Sequence, residues 1–148
     1  MNTGQSPLIL EHLTAEVVAD ILRRCGYRAS VVENGRAQQV HSAAQGLGFL
    51  VGFGNALEGV DGQYADCVFQ CWIGIQGDLP ADLVPSWNHS MRFARLSRQG
   101  EHLVLSMDVV VTGGVTDKHL VAQCELWDRV IRDFIMFLRK PVQTESPE

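Results

Sequence analysis

The stretch that decides the fold is Gly46–Gly54, which reads GLGFLVGFG. Its four glycines share one parity, whereas Leu47, Phe49, Val51 and Phe53 share the other. Side chains alternate between the two faces of a β-strand, so this pattern predicts a strand with one apolar face and one nearly bare face. A bare face lets a helix or a second protein chain approach closely.

The same glycines do not form a nucleotide-binding loop. A dinucleotide-binding fingerprint would need its third glycine at the sixth position, which is Val51 here. The chain also has no Gly-Lys-Ser or Gly-Lys-Thr sequence, so a P-loop is excluded.

The residues before this strand predict a helix and then a β-hairpin. Thr14 is a suitable N-cap and Gly26 a suitable C′ residue, so we expect a helix over residues 14–25. Asn34-Gly35 is a strong hairpin signal and predicts paired strands over residues 28–33 and 36–43. The third strand then covers residues 47–55, and a fourth covers 67–75.

The second half begins with a short helix from Asp78 to about Ser90, in which Pro85 implies either a late start or a kink. A second hairpin follows over residues 93–97 and 101–111. Thr116 then precedes a long helix over about residues 117–139. Six apolar residues at helical spacing should line the buried side of this helix: Leu120, Cys124, Trp127, Ile131, Phe134 and Leu138.

The predicted order is helix, four strands, short helix, two-stranded hairpin and long C-terminal helix. The strands follow one another in hairpins and do not alternate with helices, so the fold class is α+β with a mostly antiparallel sheet. We expect a loose N-terminal segment over residues 1–12, a single domain over residues 13–140 and a disordered tail over residues 141–148.

Composition argues against several kinds of partner. The net charge of −5 and the pI near 5.5 disfavour a protein that binds the phosphate backbone of nucleic acids. No run of about 18 apolar residues could span a bilayer, and the N-terminal residues do not resemble a signal peptide. We therefore expect a cytoplasmic protein with no nucleic-acid or membrane partner, in which all four cysteines are reduced thiols.

Motifs for catalysis or for metal and cofactor binding are not evident. Cys67 and Cys71 share one face of a strand but stand about 13 Å apart, too far to bind one metal ion. The five histidines are scattered, and no Gly-x-Ser-x-Gly nucleophile elbow occurs. We expect no catalytic, cofactor-binding or metal-binding residues, although a site assembled from distant positions stays an alternative.

The segment Trp87–Phe93, WNHSMRF, gathers several polar groups and supports two interpretations. One is structural: a helix–strand junction in which the Trp87 indole finds an acceptor and Asn88 satisfies free backbone groups. The other is a recognition surface around Trp87. Arg92 and Arg95 should fall on opposite faces of the next strand, so they do not form one basic cluster.

Three segments together resemble the YbjN-like family, whose proposed role is regulation of bacterial sensory transduction. They read LTAEVVADILRRCGY (13–27), WNHSMRFARL (87–96) and DVVVTGGVTDKHLVAQCELWDRVIRDFIMFL (108–138), and the resemblance extends over about residues 13–140. It implies a fold similar to that of type III secretion chaperones, a homodimer and no catalytic residues. Its signature positions are Trp87, Asn88, Arg92, Phe93, Gly113, Gly114 and Trp127.

The leading hypothesis is a non-enzymatic homodimeric regulatory or chaperone-like module that binds a protein or peptide partner. The alternative is a small-ligand sensor or an enzyme whose pocket lies between sheet and helix near Trp87. A third hypothesis is a structural subunit of a larger regulatory assembly. A contiguous exposed apolar patch would favour the first, and a pocket walled by Trp87 would favour the second.

Overall fold

A computed structural model describes residues 8–35 and 37–139 of the chain. In chain order, the elements of this part are β1 (Ile9–Leu10), α1 (Ala15–Arg24), β2 (Ser30–Asn34), β3 (Ala37–Ala44), β4 (Leu47–Phe53), β5 (Asp66–Gly74), α2 (Leu83–Ser90), β6 (Arg95–Gln99), β7 (His102–Val110), β8 (Val115–Thr116) and α3 (Asp117–Arg139).

Six of these strands form one antiparallel sheet in the order β2-β3-β4-β5-β7-β6. The strands β1 and β8 form a separate two-stranded antiparallel ribbon. The α+β class and the order of the main elements are therefore confirmed. The likeness to type III secretion chaperones stays a prediction.

The two helices predicted from their caps are present, and their caps act as expected. The Thr14 hydroxyl accepts a hydrogen bond from the Val17 N–H at 3.1 Å, and Gly26 has a φ of +94° just beyond α1. At α3 the Thr116 hydroxyl accepts from the His119 N–H at 3.0 Å. The predicted bounds of α3, residues 117–139, match the observed ones.

The buried stripe of α3 was predicted correctly for five of its six residues. Leu138 is the exception, because 38% of its surface is exposed. In this last turn the helix contacts α2 through Phe137, whose ring lies 5.3 Å from that of Trp87. Val130 is buried in addition to the predicted residues.

Several predicted bounds need correction. The helix α2 begins at Leu83 and not near Asp78, which is the late start that Pro85 implied, and Pro85 lies in the first turn, where a proline is tolerated. The strand β6 begins at Arg95, so Arg92 lies before the strand. Asn34 pairs with Ala37, so β2 includes Asn34, which was predicted to lie in the hairpin turn.

Part of the segment predicted to be loose, residues 1–12, is ordered in a ribbon. Ile9 pairs with Thr116 and Leu10 with Val115, and Leu13 forms a further antiparallel bridge with Tyr64. Residues 1–7 and the predicted tail at 141–148 lie outside the described residues.

The core fills the space between the helices and one face of the six-stranded sheet. Val40, Val51, Phe69 and Met107 follow one another across β3, β4, β5 and β7 on that face, and all are buried. Trp127 of α3 packs on this row of residues, with its ring 5.6 Å from that of Phe69. The helices of the described residues thus cover one face of the sheet and not the other.

Candidate functional site

Trp87 lies inside the core and not on a surface. Its side chain is fully buried, and its indole Nε1–H donates to the Ala94 carbonyl oxygen at 3.1 Å. Its ring meets those of Phe134 and Phe137 edge to face, at centroid distances of 5.4 and 5.3 Å. Trp87 therefore joins α2 to α3 and to the chain segment that leads into β6.

Asn88 joins the same helix to the sheet. Its side-chain amide donates to the Leu96 carbonyl and accepts from the Leu96 N–H, each at 2.8 Å. The strand β6 is an edge strand, so these backbone groups of Leu96 would otherwise be open to pairing with another strand. The Trp87-Asn88 pair thus fixes a helix–strand junction and covers part of a sheet edge.

The other signature residues are spread over the molecule. Phe93 is 55% exposed, has an unusual φ of +80° and lies under the Arg92 guanidinium, which is 4.9 Å from its ring centre. Gly113 and Gly114 have φ values of +94° and +96° in the turn before β8, a conformation that favours glycine. Trp127 is buried beneath the sheet, and its Nε1 has no hydrogen-bond partner among the described residues. The seven positions do not form one site.

The ligand-sensor hypothesis requires a pocket with Trp87 as a wall. A shallow cavity of about 390 Å³ lies nearby, but its lining consists of Asn88, Met91, Phe93, Ala94, Arg95 and Asp108. Trp87 does not contribute to this cavity. The ligand-sensor hypothesis therefore stays a prediction.

The face of the sheet that points away from the helices, called the open face here, carries a different group of residues. Its centre lies on β4 and β5, where the side chains beyond Asp66 are uncharged. This central patch comprises Gly48, Leu50, Gly52, Val68, Gln70 and Trp72. The bare face predicted from the glycine parity of Gly46–Gly54 is therefore one half of the patch.

Trp72 is the most prominent side chain of the central patch, and 43% of its surface is exposed. Its Nε1–H donates to Gln70 Oε1 at 3.1 Å, and Gln70 Nε2 in turn donates to the hydroxyl of the buried Ser106 at 3.3 Å. The ring of His102 packs against the indole at 5.6 Å. These contacts hold an exposed aromatic side chain in one orientation.

A pocket lies next to Trp72, just beyond the point where the β4–β5 ladder ends at the Leu50–Gln70 pair. It has a volume of about 230 Å³. We call it the Gly48 pocket, because Gly48 has no side chain that would fill it. The residues around it are His41, Ser42, Gly48, Phe49, Leu50, Gln70 and Trp72. On the other side of the sheet, the Cys71 thiol donates a hydrogen bond to the Gly48 carbonyl oxygen at 3.4 Å.

Charges occur at the border of the open face. Arg95 and Asp108 face each other there in an exposed ion pair of 2.9 Å. Such a pair contributes little to stability, but it neutralises both charges beside an uncharged centre.

The cysteines have the acid–base behaviour of core residues. Burial raises the pKa of Cys67 to about 12 and that of Cys71 to about 11. Burial also raises the pKa of Cys124 and Cys25. A nucleophilic cysteine needs the opposite shift, because the thiolate is the reactive form. The residues described in the structure contain no group of three or more metal-ligating side chains.

None of the three described helices is both long enough and apolar enough to cross a membrane.

Comparison with known proteins identifies the family. Neither a search of curated proteins nor a search of solved structures returned a significant match. A family model with the description "YbjN: Putative bacterial sensory transduction regulator" matches residues 14–140, which is most of the chain. The matched region spans the elements from α1 to α3, including the junction at Trp87-Asn88. The chain therefore belongs to the YbjN family.

Proposed function

We propose that this protein is a non-enzymatic regulatory module of the cytoplasm that acts as a homodimer and binds a protein or peptide partner. The observation that carries the homodimer is the open face, with its uncharged central patch and its exposed Trp72. The regulatory role, and with it a protein or peptide partner, rests on the family. Monomeric proteins rarely leave large apolar patches uncovered, and such patches usually mark sites of protein contact.

The fixed orientation of Trp72 supports a role in the contact between the two copies. Binding normally costs conformational entropy when a mobile side chain becomes immobile. Trp72 has already lost much of that freedom through its contacts with Gln70 and His102. Tryptophan is also among the residues that contribute most to binding energy at protein interfaces.

Two further observations support a regulatory module over an enzyme. The family is one of regulators and not of known enzymes. The cysteine thiols, which are strong nucleophiles only when ionised, have raised pKa values and stay protonated at neutral pH. All four cysteines are free thiols, a state that suits a reducing compartment.

Native mass spectrometry of protein purified gently from its own host cell tests the proposal. We expect a dimer mass, and we expect a fraction of the dimers to carry an additional polypeptide. A dimer with a bound small molecule in place of a polypeptide would favour the ligand-sensor hypothesis. A monomer at every concentration would contradict the proposal.

A further inference from the structure

We infer that the open face is the surface through which two copies of this chain pair, face to face about a twofold axis, with Trp72 of each copy seated in the Gly48 pocket of the other. This inference rests on the homodimer of the proposed function and adds the surface and the anchoring contact.

The size of the open face suits a second copy. Six strands about 4.8 Å apart and about seven residues long form a rectangle of roughly 25 by 25 Å, or about 600 Å². The uneven surface of the side chains adds to this flat area. A stable protein interface buries about 800 Å² on each partner. A sheet of equal size can cover the whole face, whereas a small molecule or a single side chain cannot.

The charge of the face also favours self-association. The whole chain has a net charge of −5, which opposes self-association, and this opposition is smallest where the contact surface itself is uncharged. The central patch is such a surface. At its border Arg95 and Asp108 neutralise each other at 2.9 Å, and the Asp66 carboxylate accepts hydrogen bonds from Asn55. A partner selected by opposite charge would find no charge to recognise at the centre of this face.

The arrangement of Trp72 and its neighbouring pocket fits twofold symmetry. In a twofold interface the same patch is used on both copies, so a projecting group on one copy must meet a recess on the other, and the reverse. Trp72 is a wall of the Gly48 pocket, so the projecting group and the recess lie side by side. An axis that passes between them brings each indole over the pocket of the opposite copy, with the two indoles adjacent.

Gly48 allows a test that fills the pocket without disturbing the monomer. A Cβ atom added at this position would meet only the Ser42 carbonyl oxygen, at an ordinary distance of 3.9 Å. Valine is also well suited to a β-strand. Gly48→Val should therefore fold normally and occupy the space that the partner's indole requires.

The test compares three variants with the wild-type protein by sedimentation equilibrium, after circular dichroism has shown that each is folded. Trp72→Ala removes the anchor, Gly48→Val blocks the pocket, and Met136→Ala removes an exposed apolar side chain from α3, on the opposite side of the molecule. We expect the first two to raise the dimer dissociation constant at least about 30-fold. Met136→Ala should leave it unchanged. Should Trp72→Ala fail to fold, Gly48→Val decides the matter alone.

Mixing the two interface variants tests the reciprocal contact itself. A mixed dimer of Trp72→Ala and Gly48→Val keeps one indole opposite one open pocket, whereas neither homodimer keeps any. We expect mixed dimers in clear excess over the statistical proportion when differently labelled variants are combined.

The outcomes separate this inference from the proposed function. If the wild type is a dimer and both variants keep its dissociation constant, or if the mixture shows no preference for mixed dimers, the surface assignment is wrong and the homodimer stands. A wild-type protein that never dimerises overturns both.

Discussion

The side chain of Asn88 pairs with the backbone of Leu96 through two hydrogen bonds of 2.8 Å, one donated and one accepted. An asparagine amide has the same donor and acceptor groups as a peptide unit, so Asn88 acts in place of a neighbouring strand at this point of β6. The exposed edge of a sheet is a common site of aggregation, and this pairing closes part of it. The pair therefore connects a family-signature residue to the integrity of the sheet edge.

We expect Asn88→Ala to lower the free energy of unfolding by about 1–3 kcal/mol, because two hydrogen bonds of about 0.5–1.5 kcal/mol each are lost. Urea denaturation measures the change. His89→Ala is the matched control, since His89 is exposed in the same helix, and it should alter stability by less than about 0.5 kcal/mol. Equal effects of the two substitutions would show that the Asn88–Leu96 pair does not stabilise the fold.

Trp127→Ala should cost about 3–5 kcal/mol of stability, as expected for a large aromatic side chain removed from a core. Trp127 packs against Phe49 and Phe69 at ring distances of 5.8 and 5.6 Å. Trp127→Phe should cost much less, since it keeps an aromatic ring and removes a buried N–H that has no partner among the described residues. Thermal and urea unfolding of both variants would check this, and an unchanged melting curve for Trp127→Ala would contradict the core assignment.

Much of the fold could be predicted from local signals. Thr14, Gly26 and Thr116 mark helix ends. Their hydrogen bonds and the positive φ of Gly26 depend only on residues a few positions away in the sequence. The pairing of strands that are distant in the sequence is harder to predict. The strands Ile9–Leu10 and Val115–Thr116 have two residues each, too few for any alternation to appear, so their ribbon was missed.

The functional face was predicted only in part. The glycine parity around Gly48 indicated a bare strand face, but the exposure of Trp72 was not foreseen. In β5 both sets of alternating residues contain large apolar side chains, such as Phe69 on one face and Trp72 on the other. Which face the helices cover depends on tertiary packing, and a single strand does not encode that choice. The alternation that puts Trp72 in register with Gln70 and Val68 was the available signal.

Thr116→Ala should destabilise the protein by about 1 kcal/mol, because α3 loses the hydroxyl that accepts the His119 N–H. Thr112→Ala provides a comparison, since Thr112 is exposed in the preceding turn. We expect little change for this second variant. If Thr112→Ala cost as much as Thr116→Ala in urea denaturation, the capping assignment would fail.

The stability of the protein should decline in alkaline solution. Burial raises the pKa of the Cys67 thiol in the folded state to about 12 from its ordinary value of 9.0. The folded state then holds this proton more tightly than the unfolded state, so the associated stability is complete below about pH 9 and is lost as the pH rises toward 12. Urea denaturation across this range measures the decline.

The matched variant for the alkaline decline is Cys67→Ala, which removes the titrating group. It should be less stable than the wild type at neutral pH, because a buried side chain is truncated. Its stability should then fall less steeply with rising pH. An identical slope in both proteins would mean that Cys67 does not contribute to the alkaline loss.

The central claim, that the open face pairs two copies of the chain, is tested most directly by acrylamide quenching of the wild-type tryptophan fluorescence. The chain has three tryptophans, of which Trp87 and Trp127 are buried and Trp72 is 43% exposed. Quenching therefore reports mainly on Trp72, without any substitution. We expect the quenching constant to fall as the protein concentration passes through the monomer–dimer transition measured by sedimentation. Quenching that stays constant while the dimer forms would show that Trp72 remains open to solvent and that the two copies meet elsewhere.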